Sequence, residues 1–221
     1  MWKELKQIWF SDNLLSEAWD MTYEALNIDA EMFHDAVDAL WGDNVKATQK
    51  LIFKKDKLIN KYERDIRRKV VTHLSVQKGD GVAAGLVLST IIIDVERIGD
   101  YVKNIVDLTE MHQDDLLDKE IKDVLNEIEN SVMNAFKTTR TCIEDGDEDV
   151  ALELYHTTKK YSRMCDEHIS RLITSDKDYG ASGIVYALYF RYLKRINAHL
   201  RNIVSSVINP YDRIGYKPKA V

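Results

Sequence analysis

The stretch "DVERIGDYVKNIV", Asp94 to Val106, decides the fold. Its apolar residues continue a series in which Ala84, Val87, Ile91, Val95, Ile98, Val102 and Ile105 step by three or four, the spacing of one buried stripe on an α-helix. Opposite that stripe Glu96, Asp100 and Asn104 stand four apart, one above another on the same helix. Such a file is either an ordinary solvated face or a ladder of oxygen ligands.

Working outward, the same helical signal recurs. Only two prolines occur, Pro210 and Pro218, both near the end, so long helices are permitted almost everywhere. Short polar breaks at 41–43, 77–81, 112–115, 144–147 and 175–183 separate six stretches, each roughly 25 to 40 residues long. In the second, Ile52, Ile59 and Ile66 repeat every seven residues with Leu51, Leu58 and Tyr62 beside them, giving another apolar stripe. Short connections make consecutive helices antiparallel neighbours. The expectation is an all-α protein of six long helices in two tandem antiparallel three-helix bundles, residues 1–113 and 114–221. The tail "NPYDRIGYKPK" should leave the last helix and lie along the surface.

The chain resembles itself at this period. "VERIGDYVKNIV" corresponds to "LKRINAHLRNIV", pairing Arg97 with Arg195, Ile98 with Ile196 and Asn104 with Asn202. The preceding stretches match more loosely, with one gap, and that alignment sets Lys159 and Arg163 at the places of Asp56 and Asn60.

Composition narrows the function. A net charge of -6 makes nucleic acid a poor default partner, although it leaves room for a local basic patch. The most apolar run, Val82 to Ile93, stops at Asp94, well short of the roughly 20 residues of a membrane span. Two scattered cysteines, Cys142 and Cys165, and an N-terminus without a signal-type apolar core point to the cytoplasm. The six histidines form no pair at the four-residue spacing of a helical zinc site, and no phosphate-binding or nucleophile motif is present.

Taken together, "ERIGDYVKNI" and "DKLINKYERDIRR" resemble the PhoU family, phosphate-homeostasis proteins built as two three-helix repeats. The resemblance implies a multinuclear metal cluster, commonly iron or zinc, held by acids four apart on the second and third helices of a repeat. Carried onto this chain, the ligands are Asp56 and Asn60 on one helix and Glu96 and Asp100 on the next, with Glu63 and Asn104 as further candidates. Asn60 stands where an acid is more usual. The chemistry is coherent, since hard cations take oxygen ligands and converging carboxylates need a cation to offset their repulsion.

The second repeat departs from this pattern. Lys194 and Ala198 replace Glu96 and Asp100, and Lys159 and Arg163 replace the other pair, so metal is expected in the first repeat only. Lys159, Arg163 and Lys194 could instead bind an anion such as phosphate, or pair with acids such as Asp166. The resemblance further implies a non-catalytic adaptor of phosphate uptake and signalling, a dimer in some members, contacting the phosphate ABC transporter and a sensor histidine kinase. Two other readings stay open: a di-metal carboxylate oxidase, whose usual Glu-x-x-His motif is missing here, and a scaffold that kept the fold without phosphate regulation.

Overall fold

The computed structural model describes residues 1–42, 45–77, 81–111 and 119–218. These residues are all-α, with no strand among them. Their order is α1 (Trp2–Ser11), α2 (Asn13–Trp41), α3 (Val45–Val76), α4 (Val82–Met111), α5 (Lys119–Asp145), α6 (Glu148–Thr174) and α7 (Gly180–Ile208), then a 3-10 turn, Tyr211–Arg213. The expected count of six helices is therefore corrected to seven among the described residues. The first stretch is cut at Asp12, whose backbone is extended (φ -125°, ψ 126°) and whose carboxylate accepts from the amides of Leu14 at 2.9 Å and Leu15 at 3.1 Å. That N-cap starts a new helix and frees α1 to turn back. The boundary at 113/114 and the breaks at Asp43, Lys78–Asp80 and His112–Asp115 lie outside the described residues.

α1 is a short apolar clasp. Trp2 and Trp9 are buried against Trp19, with ring centroids 4.7 to 6.1 Å apart, and their indole nitrogens donate to the carbonyls of Ile143 and Ala84, each at 3.0 Å. Gly146, between α5 and α6, has φ +70°, and a Cβ there would meet Trp2 at 2.6 Å, so this turn requires glycine.

Helices α2, α3 and α4 pack on one another, as do α5, α6 and α7; α4 on α7 and α2 on α5 join the two trios. The predicted stripe of α4, from Ala84 to Ile105, is buried throughout. In α3, Ile52, Ile59 and Ile66 are buried, each contributing roughly 1.5–3 kcal/mol by leaving water. Leu51 and Leu58 are not: they stay 45% and 37% exposed, because α2 and α4 cover only the isoleucine side of α3.

Equivalent positions meet across the seam, as they would around an internal two-fold axis. Phe33 of α2 lies 5.7 Å from Phe136 of α5. A shift of 98 residues, set by Arg97 and Arg195, maps Tyr101 onto His199, and these two rings stack at 5.7 Å. The tail is tied down rather than loose, since Asn209 Nδ2 donates to the carbonyls of Arg213 and Tyr216 at 3.0 and 2.9 Å. No helix of the described residues is long and apolar enough to cross a membrane.

Candidate functional site

The centre of the first trio collects acids from all three helices. α3 contributes Asp56, which is buried, and Asn60, whose amide donates to Asp56 Oδ2 at 3.1 Å. α4 contributes Glu96 and Asp100, their side chains 17% and 34% exposed, so this file is neither fully wet nor fully dry. α2 contributes Asp29, which the sequence reading missed. It is completely buried, and neither of its carboxyl oxygens has a hydrogen-bond partner among the described residues.

Gly99 lets these groups close up. A Cβ at Gly99 would sit 3.1 Å from Asp29 Oδ1 and 3.7 Å from Asp56 Oδ1, so both oxygens crowd the bare α-carbon of α4. The electrostatic consequence follows. Burial, then the charges of Asp56, Glu96 and Asp100, push the Asp29 carboxyl well above the usual carboxylate range. Burial and the neighbouring Asp100 also raise Glu96, partly offset by Arg97.

One cation of the chain itself enters this cluster. Lys103 Nζ lies 2.9 Å from Asp56 Oδ1 and 2.9 Å from Asp100 Oδ1, one ammonium bridging α3 and α4. Its burial would lower its affinity for the proton, but the bonds to Asp100 and Asp56 win and hold it above the ordinary lysine value. Among the described residues no three acids, histidines or cysteines stand in ready coordinating geometry. The donor set nevertheless suits a hard cation in kind, because Asp29 is a buried carboxyl lacking any donor. Lys103, on a flexible stem, would have to swing out.

The remaining candidates lie at the margin. Glu63 is occupied by Arg67 at 2.9 Å. Asn104 lines, with Phe53, Arg97, Asp100, Lys103 and Asp107, an open concavity of about 420 Å³ between α3 and α4. Through this concavity Asp100 faces solvent.

The second trio is built differently at every matching place. With Phe136 set against Phe33, the burial patterns of α5 and α2 coincide and Val132 takes the position of Asp29. Asn197, buried and with its amide unpartnered, takes that of Gly99. Lys159 and Arg163 are exposed on α6, so the buried place of Asp56 falls to Thr158, one residue away. Lys194 donates to both oxygens of Asp166 at 2.6 Å, the ion pair that was one of the two sequence readings. Lys159, Arg163 and Lys194 are thus spread over two helices, with Lys194 engaged by an acid. Asp94 lies at the seam, where His199 Nδ1 is 2.7 Å and Asn202 Nδ2 3.0 Å from its Oδ1. Asn202 therefore binds across the trios.

Residues 22–109, from α2 to the end of α4, match the PhoU domain family. No curated protein matches the sequence. Among solved structures, the chain is similar to the phosphate transport system regulatory protein PhoU from Streptococcus pneumoniae, with a TM-score of 0.77 at 16% identity, over 87% of this chain and 92% of that one. It is equally similar to PhoU from Pseudomonas aeruginosa, with a TM-score of 0.77 at 22% identity, over 88% and 95%. At these identities the likeness establishes the fold.

Proposed function

We propose that this chain, in which residues 22–109 match the PhoU domain family and the fold is that of solved PhoU structures, is a non-catalytic regulator of phosphate uptake and phosphate signalling whose first trio binds metal. The observation that supports this most is Asp29: a fully buried, unpartnered carboxyl converging with Asp56, Glu96 and Asp100 from three helices. Left alone, such a group destabilises the fold. Asp29, Asp56, Glu96 and Asp100 would hold the cation, with Asn60 beside them and Glu63 in reserve. A bound iron or zinc ion supplies positive charge that neutralises the converging carboxylates. Asp56 and Asp100 would then no longer depend on Lys103, and the side chains of Asp29, Asp56, Glu96 and Asp100 would pin α2, α3 and α4 together.

The regulator's partners, by the family resemblance, are the phosphate ABC transporter and its sensor histidine kinase. Presenting a helical face whose rigidity follows metal occupancy needs no nucleophile and no acid/base pair. Two measurements test the reading. Isothermal titration with zinc and with ferrous iron should show binding by wild type that Glu96→Ala/Asp100→Ala abolishes. In the source cell, deletion should leave phosphate uptake running in phosphate-rich medium, and wild type but not the double variant should restore control. Restoration by wild type and the double variant alike would remove metal from the regulatory role; a deletion with no effect on uptake would remove the regulatory role itself.

A further inference from the structure

The outward face of α3 carries an unbroken basic stripe. Lys46, Lys50, Lys54, Lys57, Lys61 and Arg64 follow at steps of three or four, and all are exposed. Arg68 extends the line to a length of roughly 33 Å at 1.5 Å per residue. Of these seven, only Arg68 has an acid partner among the described residues, Asp65 at 3.0 Å. The lysines on the sides of the helix are treated otherwise: Lys55 is paired with Glu31 and Asp35, and Lys69 with Glu17. Residues of like charge three or four apart destabilise a helix. Here six successive neighbours along α3 do so, on a chain whose net charge is -6.

Apolar groups share this face. Phe53 and Val71, 39% and 64% exposed, lie along the stripe, and Leu51 and Leu58 lie on its flank. We propose that the outer face of α3 is a docking surface for an anionic lipid bilayer, on which the protein lies peripherally. The outer side of a single helix is convex, and none of the basic residues of the stripe lines the concavity between α3 and α4, so the stripe itself offers no cleft to enclose a folded ligand. Its charge is mostly lysine, a compact point charge suited to an array of separate phosphates rather than to the bidentate recognition that arginine provides. The exposed apolar side chains can enter the headgroup boundary beside it. The acidic remainder of the protein is repelled by the same membrane, which fixes the orientation. This proposal stands independently of the metal reading.

The test is sedimentation of the full-length protein with vesicles. Wild type should pellet with phosphatidylcholine vesicles containing about one-third phosphatidylglycerol, not with phosphatidylcholine alone, and raised salt should release it. Lys50→Glu/Lys54→Glu/Lys57→Glu/Lys61→Glu should weaken partitioning roughly a hundredfold or more, with unchanged circular dichroism. The milder Lys54→Gln/Lys57→Gln should give an intermediate loss, and Lys159→Glu/Arg163→Glu on α6 none. Absence of pelleting by wild type would overturn the proposal, as would equal pelleting by the charge-reversed chain. So would preferential capture by an oligonucleotide, or a switch in oligomeric mass on charge reversal without vesicle binding, which would assign the face to nucleic acid or to a second copy of the chain.

Discussion

The two trios share one architecture and differ in where they put charge. In the first, α3 and α4 turn acids inward around Gly99 while α3 turns its lysines outward. In the second, Val132, Asn197 and Ala198 fill the matching interior, and the helix equivalent to α3 carries acids and bases mixed on its surface. Asp29 and Val132 occupy equivalent buried sites, so a three-helix packing of this kind does not itself require an acid there. A buried, unpartnered acid costs stability, and in the function proposed above a ligand of opposite charge offsets that cost.

Four measurements probe the difference between the two trios. The largest effect is expected from metal itself. At a concentration about a hundred times its Kd, a cation binding only the folded chain adds about 2.7 kcal/mol, or about 5 to 10 °C in Tm. A chelator should reverse this shift, Glu96→Ala/Asp100→Ala should abolish it, and Lys194→Ala should leave it intact.

Copying the second trio into the first comes next. Asp29→Val should stabilise the metal-free protein by about 1–3 kcal/mol at neutral pH, as an unpartnered buried group is removed, while weakening metal binding. The pH dependence has a definite sign. Burial and three neighbouring acids raise the folded carboxyl above its ordinary value of 3.8, so between that value and the folded one the native state holds a proton the unfolded chain has released. Wild-type stability without metal therefore falls as pH rises through this window, and Asp29→Val should flatten the fall in denaturant titrations.

A smaller effect attaches to the internal cation. Lys103→Met should strengthen metal binding by roughly tenfold, about 1.4 kcal/mol, because the ion no longer displaces an ammonium from Asp56 and Asp100. Weaker binding in that variant would instead make Lys103 part of the site. Smallest of all, Lys159→Ala and Arg163→Ala on the exposed side of α6 should change stability by no more than about 0.5 kcal/mol.

Much of this was legible beforehand. The buried stripes of α3 and α4 follow from spacing and the absence of matching acids later in the chain from self-comparison, whereas the grouping of Asp56 with Glu96 and Asp100 rests on the family resemblance, since spacing alone leaves a solvated face open. Asp29 escaped because it stands alone, four residues from Phe33 and three from Met32, with no second acid to form a pair. Its signal was being the one charge within the apolar series Ala25, Leu26, Met32, Phe33 and Ala36. Lys103 escaped because its role depends on α3, which its own helix period does not reveal. The break at Asp12 was written in "SDN", a capping sequence passed over within an otherwise helical stretch. Leu51 and Leu58 misled because periodicity finds an apolar side but not how much of it neighbours cover.

The central claim, that one trio binds metal and the other does not, is tested most directly by an anomalous difference map from crystals grown with zinc or ferrous iron, recorded at the metal edge. Density is expected among Asp29, Asp56, Glu96 and Asp100 and none among Val132, Thr158, Asn197 and Ala198. Peaks of equal height in both trios, or a peak in the second alone, would contradict it.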